Sequence, residues 1–169
     1  MALIIDHGKL TDLPAINSIY NYYVLQSNIS FDIEPWDEQK RLNWFEQFAE
    51  NPDMYSLLVA RLDGQLVGFA YNSKFKEKAA YASSSEVTVY VSTDSQGQGI
   101  GATLYSELLA KIASTRLHRL YAGITLPNDS SIKLHQKFGF KQVGIMREVG
   151  YKNGQYHSTA LLEKCLKID

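Results

Sequence analysis

Cysteine is nearly absent: Cys165 stands alone among 169 residues, so no internal disulfide can form and no Cys pair is left for zinc. Excess charge of one sign is missing too. The formal net charge is −1 at pH 7 and no long basic run occurs, which argues against a nucleic-acid surface. No apolar stretch approaches the ~20 residues needed to span a bilayer, and MALIIDHGKL lacks the charged start and long apolar run of a signal peptide. There is no internal repeat, low-complexity segment or Pro/Gly/Ser linker. The sharpest shift in composition, KFKEKAAYASSS at 74–85, is too short to divide domains and reads as a loop. His7, His118 and His157 fall in different elements without ligand-like spacing, so no metal is expected. What remains is a chain 45% hydrophobic and 21% charged, enough to build a sizeable core. The expectation is a single domain over residues 1–169, cytoplasmic, with neither nucleic acid nor membrane as partner.

Leu3–Asp6 reads as a short strand. Thr11, Asp12 and Pro14 open a helix with Ile16, Ile19, Tyr20 and Tyr23 at helical spacing. Asp37 starts a second helix carrying Leu42, Phe45 and Phe48, which Asn51-Pro52 stops. YSLLVARL and QLVGFAYNS are strands joined by Asp63-Gly64, a two-residue hairpin signal. SEVTVYV is a strand, followed by a helix with Leu104, Leu108 and Ile112 on one face, and LHRLYAGITL is the next strand. Asn128-Asp129-Ser130 caps a helix running to Phe138 before Gly139. FKQVGIMREVGYK, Asn153-Gly154 and QYHSTALLEKCL close the chain as a second hairpin. Hairpins at both ends require antiparallel pairing, and strand–helix–strand between them implies a parallel pair. The expected fold is α/β (α+β), a mixed and mostly antiparallel sheet of about seven strands with helices on both faces.

Gln96-Gly97-Gln98-Gly99-Ile100-Gly101-Ala102 lies just ahead of the third helix. Backbone amides at a helix N-terminus, cleared of bulky side chains, suit a phosphate. A Walker loop would need Gly-Lys-Ser/Thr after its spacer, and none is present. Gly97, Gly99 and Ala102 fit a dinucleotide fingerprint, but Ser92–Gln96 separate them from the strand, and RLHRLYAGITL supplies no acidic partner. A turn kept glycine-rich for packing alone is a further alternative. The strand ahead of the loop raises its own question. Val87, Val89 and Val91 point to one face, and Glu86, Thr88 and Tyr90 to the other. A central strand covered on both faces is normally apolar throughout. Glu86 therefore carries a desolvation cost unless something pairs or uses it. Either it pairs with Lys76 or Lys78 at a frayed strand start, or it is a functional group.

The glycine stretch resembles the pyrophosphate loop of the GNAT superfamily of N-acetyltransferases, Gln/Arg-x-x-Gly-x-Gly/Ala after a strand, matched by Gln96, Gly99 and Gly101. The similarity runs in order through YNYYVLQSNISFDIEP, ARLDGQLVGFAY, SEVTVYVS, LYSELL, LPNDSSIKLHQKFGF and GYKNGQYH. These segments look like those of the phosphinothricin and methionine sulfoximine acetyltransferase-type subfamily and cover nearly the whole chain. The resemblance implies a GNAT-type sheet and acetyl-CoA as cosubstrate. Its pyrophosphate would lie on the loop formed by Gln96, Gly97, Gln98, Gly99, Ile100, Gly101 and Ala102. Its pantetheine arm would run along Val89, Tyr90 and Val91, beside Asn128. Glu86, in E-x-T-V-Y-V, is implied as the general base that frees the attacking amine, a role that partial burial would favour. Backbone N–H groups of Val89–Val91 would face the oxyanion. His135 takes the place where many superfamily members carry a Tyr that protonates the departing thiolate. Without the motif it reads as a helix His filling space near Leu134 and Phe138.

The same resemblance places the acceptor pocket at residues 28–34 and 76–81. Phe31 and Tyr81 would form walls, Lys76 or Lys78 would meet an acidic group, and Val87 and Thr88 would lie beside Glu86. The implied reaction is acetylation of the α-amine of a small amino acid or analogue, such as phosphinothricin, methionine sulfoximine or methionine sulfone. The implied assembly is a homodimer with acceptor sites near the subunit interface. Two departures bear on substrate range: no Arg stands in the 76–81 loop, and Tyr156-His157 replace a typical Trp-Asp. Alternatives are a non-catalytic acyl-CoA-binding or sensing domain on this fold, an acetyltransferase for an unrelated small amine, and a nucleotide-dependent oxidoreductase.

Overall fold

The structure, a computed structural model, describes residues 2–167. Its elements are β1 (Leu3–His7), α1 (Leu13–Gln26), α2 (Glu38–Glu50), β2 (Leu57–Leu62), β3 (Gln65–Lys74), β4 (Ser84–Val91), α3 (Ile100–Ala113), β5 (Arg119–Thr125), α4 (Asp129–Lys137), β6 (Lys141–Lys152) and β7 (Gln155–Cys165). The order matches the sequence reading. The strands form one sheet, β1-β2-β3-β4-β5-β7-β6, antiparallel at every junction except the parallel β4–β5 pair. Both hairpin turns hold two consecutive residues at positive φ: Asp63 (49°) with Gly64 (88°), and Asn153 (52°) with Gly154 (76°). Turns of that hand match the twist of the flanking strands, which is why Asp-Gly and Asn-Gly mark them.

Alternation along the strands feeds two cores. Leu58, Ala60, Val87 and Leu120 pack on one face beneath Ile100, Leu104, Leu108 and Ile112 of α3. Leu57, Val59 and Phe69 pack on the other beneath Ile16, Ile19, Tyr20 and Tyr23 of α1. Leu42, Trp44, Phe45 and Phe48 of α2 border this second core. Arg41 lies within it, only 2% exposed. Its guanidinium sits 4.7, 4.2 and 4.6 Å from the ring centroids of Tyr20, Trp36 and Trp44. The aromatic faces supply the attraction that water would otherwise give it.

Two of the expected caps form. Asp37 accepts the Lys40 N–H at 2.7 Å and Asn128 Oδ1 accepts the Ser131 N–H at 3.2 Å. Asp12 departs from expectation. A 3₁₀ turn at Leu10–Asp12 precedes α1, so its carboxylate makes no cap bond to α1 and instead accepts from Lys9 N–H (3.0 Å) and Arg61 (2.6 Å).

Candidate active site

The sheet opens in its middle. β4 and β5 pair only across Ser84–Arg119, Ser85–Leu120 and Glu86–Tyr121, after which they separate. β4 continues to Val91 on β3, and β5 continues to Thr125 on β7, so each side of the gap is held by its own antiparallel partner. Ser92 N–H donates to Val67 O on β3 at 2.7 Å. Because successive residues of a strand turn their N–H groups to opposite edges, Val89 and Val91 present theirs to the gap. Val91 O, on the same edge, accepts from the Tyr23 hydroxyl, which in turn accepts from Gln96 Nε2 at 2.8 Å. Gln96 thus ties the glycine loop to α1.

A groove of about 430 Å³ runs from this edge to the start of α3, lined by Val89, Tyr90, Val91, Gln96, Gly97, Gly99, Ile100, Gly101, Ala102 and Asn128. Gly97 and Gly99 have φ of +76° and +78°, and a Cβ at either would meet nothing within 4 Å. The backbone is therefore bare where it faces the groove, in a conformation that favours glycine. Thr103 is the first residue of α3 whose N–H bonds back, to Gly99 O at 3.0 Å. The N–H groups of Ile100, Gly101 and Ala102 are left as free donors at the positive end of the helix. Gln98 lies outside the lining.

A second cavity of about 520 Å³ adjoins the groove and shares Ile29, Val89, Tyr90, Asn128 and Ser131 with it. Glu86 is half-buried in its wall, with Val87 and Thr88 beside it. Among the described residues Glu86 forms no ion pair. The alternative of a Lys76 or Lys78 partner does not occur: Lys76 Nζ lies 5.1 Å from both the Phe75 and Tyr81 ring centroids. Burial raises the Glu86 carboxyl above the usual carboxylate range, with no cation to oppose it. Phe31 and Lys76 line the cavity, and among the described residues Lys76 is the one Lys or Arg that does. Lys78 and Tyr81 lie outside the lining; Tyr81 packs edge-on against Phe75, 5.9 Å between centroids. The structure adds a wall that the sequence did not indicate. Phe75 stacks on Tyr121 at 4.2 Å and 14°, and Tyr121 sits opposite Glu86 in the parallel register. Only the pairing of β4 with β5 brings them together, although Phe75 is next to Lys76 in sequence.

His135 also reaches this cavity but is only 3% exposed. Its Nδ1 lies 2.7 Å from Ser131 O, which can only accept, so a neutral ring carries its proton there. Nε2 is buried with no partner, and the imidazole packs edge-on with the Tyr105 and Phe140 rings, 5.0 and 5.3 Å between centroids. Burial lowers the His135 pKa and the Ser131 carbonyl opposes that shift. No cluster of three or more His, Cys, Asp or Glu with metal-holding geometry occurs among the described residues.

Comparison with known proteins agrees with this geometry. The family description "Acetyltransferase (GNAT) domain" matches residues 5–160. A phosphinothricin N-acetyltransferase of Streptomyces coelicolor is 42% identical over 161 residues, 94% of each chain. An L-methionine sulfoximine/L-methionine sulfone acetyltransferase of Pseudomonas aeruginosa is 32% identical, over 92% of this chain and 90% of the relative. A crystal structure of a phosphinothricin acetyltransferase from Sinorhizobium meliloti in complex with AcCoA superposes with a TM-score of 0.92 at 30% identity, covering 98% of this chain and 89% of that one. The chain belongs to the GNAT family of N-acetyltransferases.

Proposed function

We propose that this acetyltransferase transfers the acetyl group of acetyl-CoA to the α-amine of a small amino acid or analogue bearing a second anionic or strongly polar group. Phosphinothricin, methionine sulfoximine and methionine sulfone are the leading acceptors. The observation that carries the reading is the Glu86 carboxylate, without an ion-pair partner among the described residues, lining the cavity that adjoins the glycine-lined groove. The bare loop and the three free N–H groups of α3 suit the pyrophosphate, and the open edge of β4 suits an amide-bearing arm. Asn128 borders both spaces.

Glu86, directly or through water, takes a proton from the acceptor ammonium, and the freed amine attacks the thioester carbonyl. Val89 and Val91 N–H groups face the gap where the oxyanion develops. As the C–S bond breaks, the nitrogen loses its second proton and the thiolate gains one. His135 can deliver that proton only when doubly protonated, a state its burial disfavours. Replacing His135 should therefore cost less than replacing Glu86. Lys76 supplies the positive charge for the acceptor's acidic group, as a point charge rather than a planar fork.

The test is thiol release from acetyl-CoA against a panel of amines, run with wild type and Glu86→Gln. Wild type should turn over the three named analogues, and the variant should lose ~10²–10⁴ in rate while keeping its acetyl-CoA KM. Activity confined to polyamines or aminoglycosides overturns the acceptor class. A Glu86→Gln rate within a few-fold of wild type removes the base.

A further inference from the structure

The cavity wall around Ile29, Ser30 and Phe31 belongs to a segment between α1 and α2 without regular structure, and it is held from a distant part of the chain. Lys152, the last residue of β6, is 5% exposed. Lysine is almost never buried to that degree without partners. Here the partners are two carbonyls: Nζ donates to Val24 O and to Ser30 O, each at 2.7 Å. Val24 lies in the last turn of α1, where carbonyls have no intrahelical donor and the helix dipole favours a cation. Tyr23 O in that turn is served by Ser27 Oγ at 2.7 Å. Lys152 therefore closes the end of α1 and grips the segment that leaves it. Two neighbours join in. Asn153 Nδ2 donates to Asn28 Oδ1 at 2.8 Å, and the Phe31 ring lies so close to Gly150 that a Cβ there would meet it at 2.3 Å. The Lys152 carbonyl is fixed in turn by His157 Nε2 at 3.0 Å.

We propose that Lys152 is a positioning residue for the acceptor site: its ammonium locks the Ser27–Phe31 segment onto the β6–β7 turn and so sets the wall against which the amine substrate binds. The inference rests on reading the cavity as the acceptor site. The clamped segment borders the neighbouring groove only through Ile29, and the glycine loop, which leads into and opens α3, takes part in none of the Lys152, Asn153 and Phe31 contacts. Loss of the clamp should thus weaken acceptor binding far more than acetyl-CoA binding.

Lys152→Met keeps the aliphatic stem and deletes the charge and its donors. Hydrogen exchange of the purified variant should rise in peptides covering 27–34 and stay at wild-type levels across 96–102. The amine KM should rise about tenfold or more, with kcat within about threefold and acetyl-CoA KM within about twofold. Lys152→Gln, an uncharged donor, should fall between the two and carries the same measurements if the Met variant does not fold. Unchanged exchange in 27–34 overturns the clamp. Raised exchange with an unchanged amine KM, or an acetyl-CoA KM that rises in step, overturns its role in acceptor binding. Failure of the acetylation reading itself is distinct: wild type would release no thiol with any amine of the panel.

Discussion

At the scale of single residues, the base role proposed for Glu86 would tie catalysis to stability through one ionisation. A carboxylate whose folded pKa lies above its unfolded value binds its proton more tightly in the folded state. The stability this contributes is fully present below the unfolded pKa and declines as pH rises through the folded one. Under the proposed mechanism activity runs the other way, since only the deprotonated form would take a proton from the amine. The acid limb of kcat/KM should therefore have its midpoint above the usual carboxylate range and disappear in Glu86→Gln. That variant should melt higher than wild type at pH 8, and the gain should shrink toward zero near pH 4. A lower melting temperature at pH 8 would mean that the carboxylate has a stabilising partner. Glu86 was legible because a charge in an apolar strand violates the strand's own pattern. Arg41, more deeply buried, was not legible: its neighbours Leu42 and Phe45 fix the helical phase, and only the folded arrangement of Tyr20, Trp36 and Trp44 gives it somewhere to go.

At the scale of elements, every strand and helix was readable from periodicity, caps and turn residues, because each is specified locally. The site is less readable because it lies between elements. The gap exists where β4 and β5 stop pairing, a consequence of each strand's commitment to a different antiparallel partner. The loop at the start of α3 is the exception, since its glycines are a local requirement. Gly99→Val would place a branched side chain in the left-handed region and in the groove at once. Gly64→Val separates the two effects, because Gly64 has a similar φ of +88° and equally open space, but sits in the β2–β3 turn. Both variants should lose stability on the order of 1–2 kcal/mol. Only Gly99→Val should raise the acetyl-CoA KM, by tenfold or more. Equal acetyl-CoA KM values in the two folded variants would reduce the loop to a packing device.

At the scale of the whole molecule, β6 is the element with the most exposed edge. It is an edge strand, exposed along most of its length, yet Val143, Ile145, Met146 and Val149 are 46–53% exposed. Tyr151 and Tyr156 at its hairpin end are 59% and 66% exposed and pack edge-to-face, 4.9 Å between centroids. A long edge with this much apolar surface invites pairing, and natural sheets usually blunt such edges with charge or cover them. The GYKNGQYH segment that implied a homodimer forms that end of the hairpin, which lends support to a second copy of the chain as the cover. Met146 and Val149 also line the cavity beside Glu86, and Lys152 on the same strand holds the Ser30 part of its wall. A partner seated on β6 would therefore stiffen the acceptor side and leave the glycine groove unaffected. If a second copy covers β6, dilution through the dissociation range of that pair should raise the amine KM while the acetyl-CoA KM holds, and Tyr151→Glu with Tyr156→Glu should reproduce that change at high concentration. Light scattering supplies the check. A chain that is monomeric at every concentration, yet keeps a low amine KM, would show that β6 completes the acceptor site without a partner.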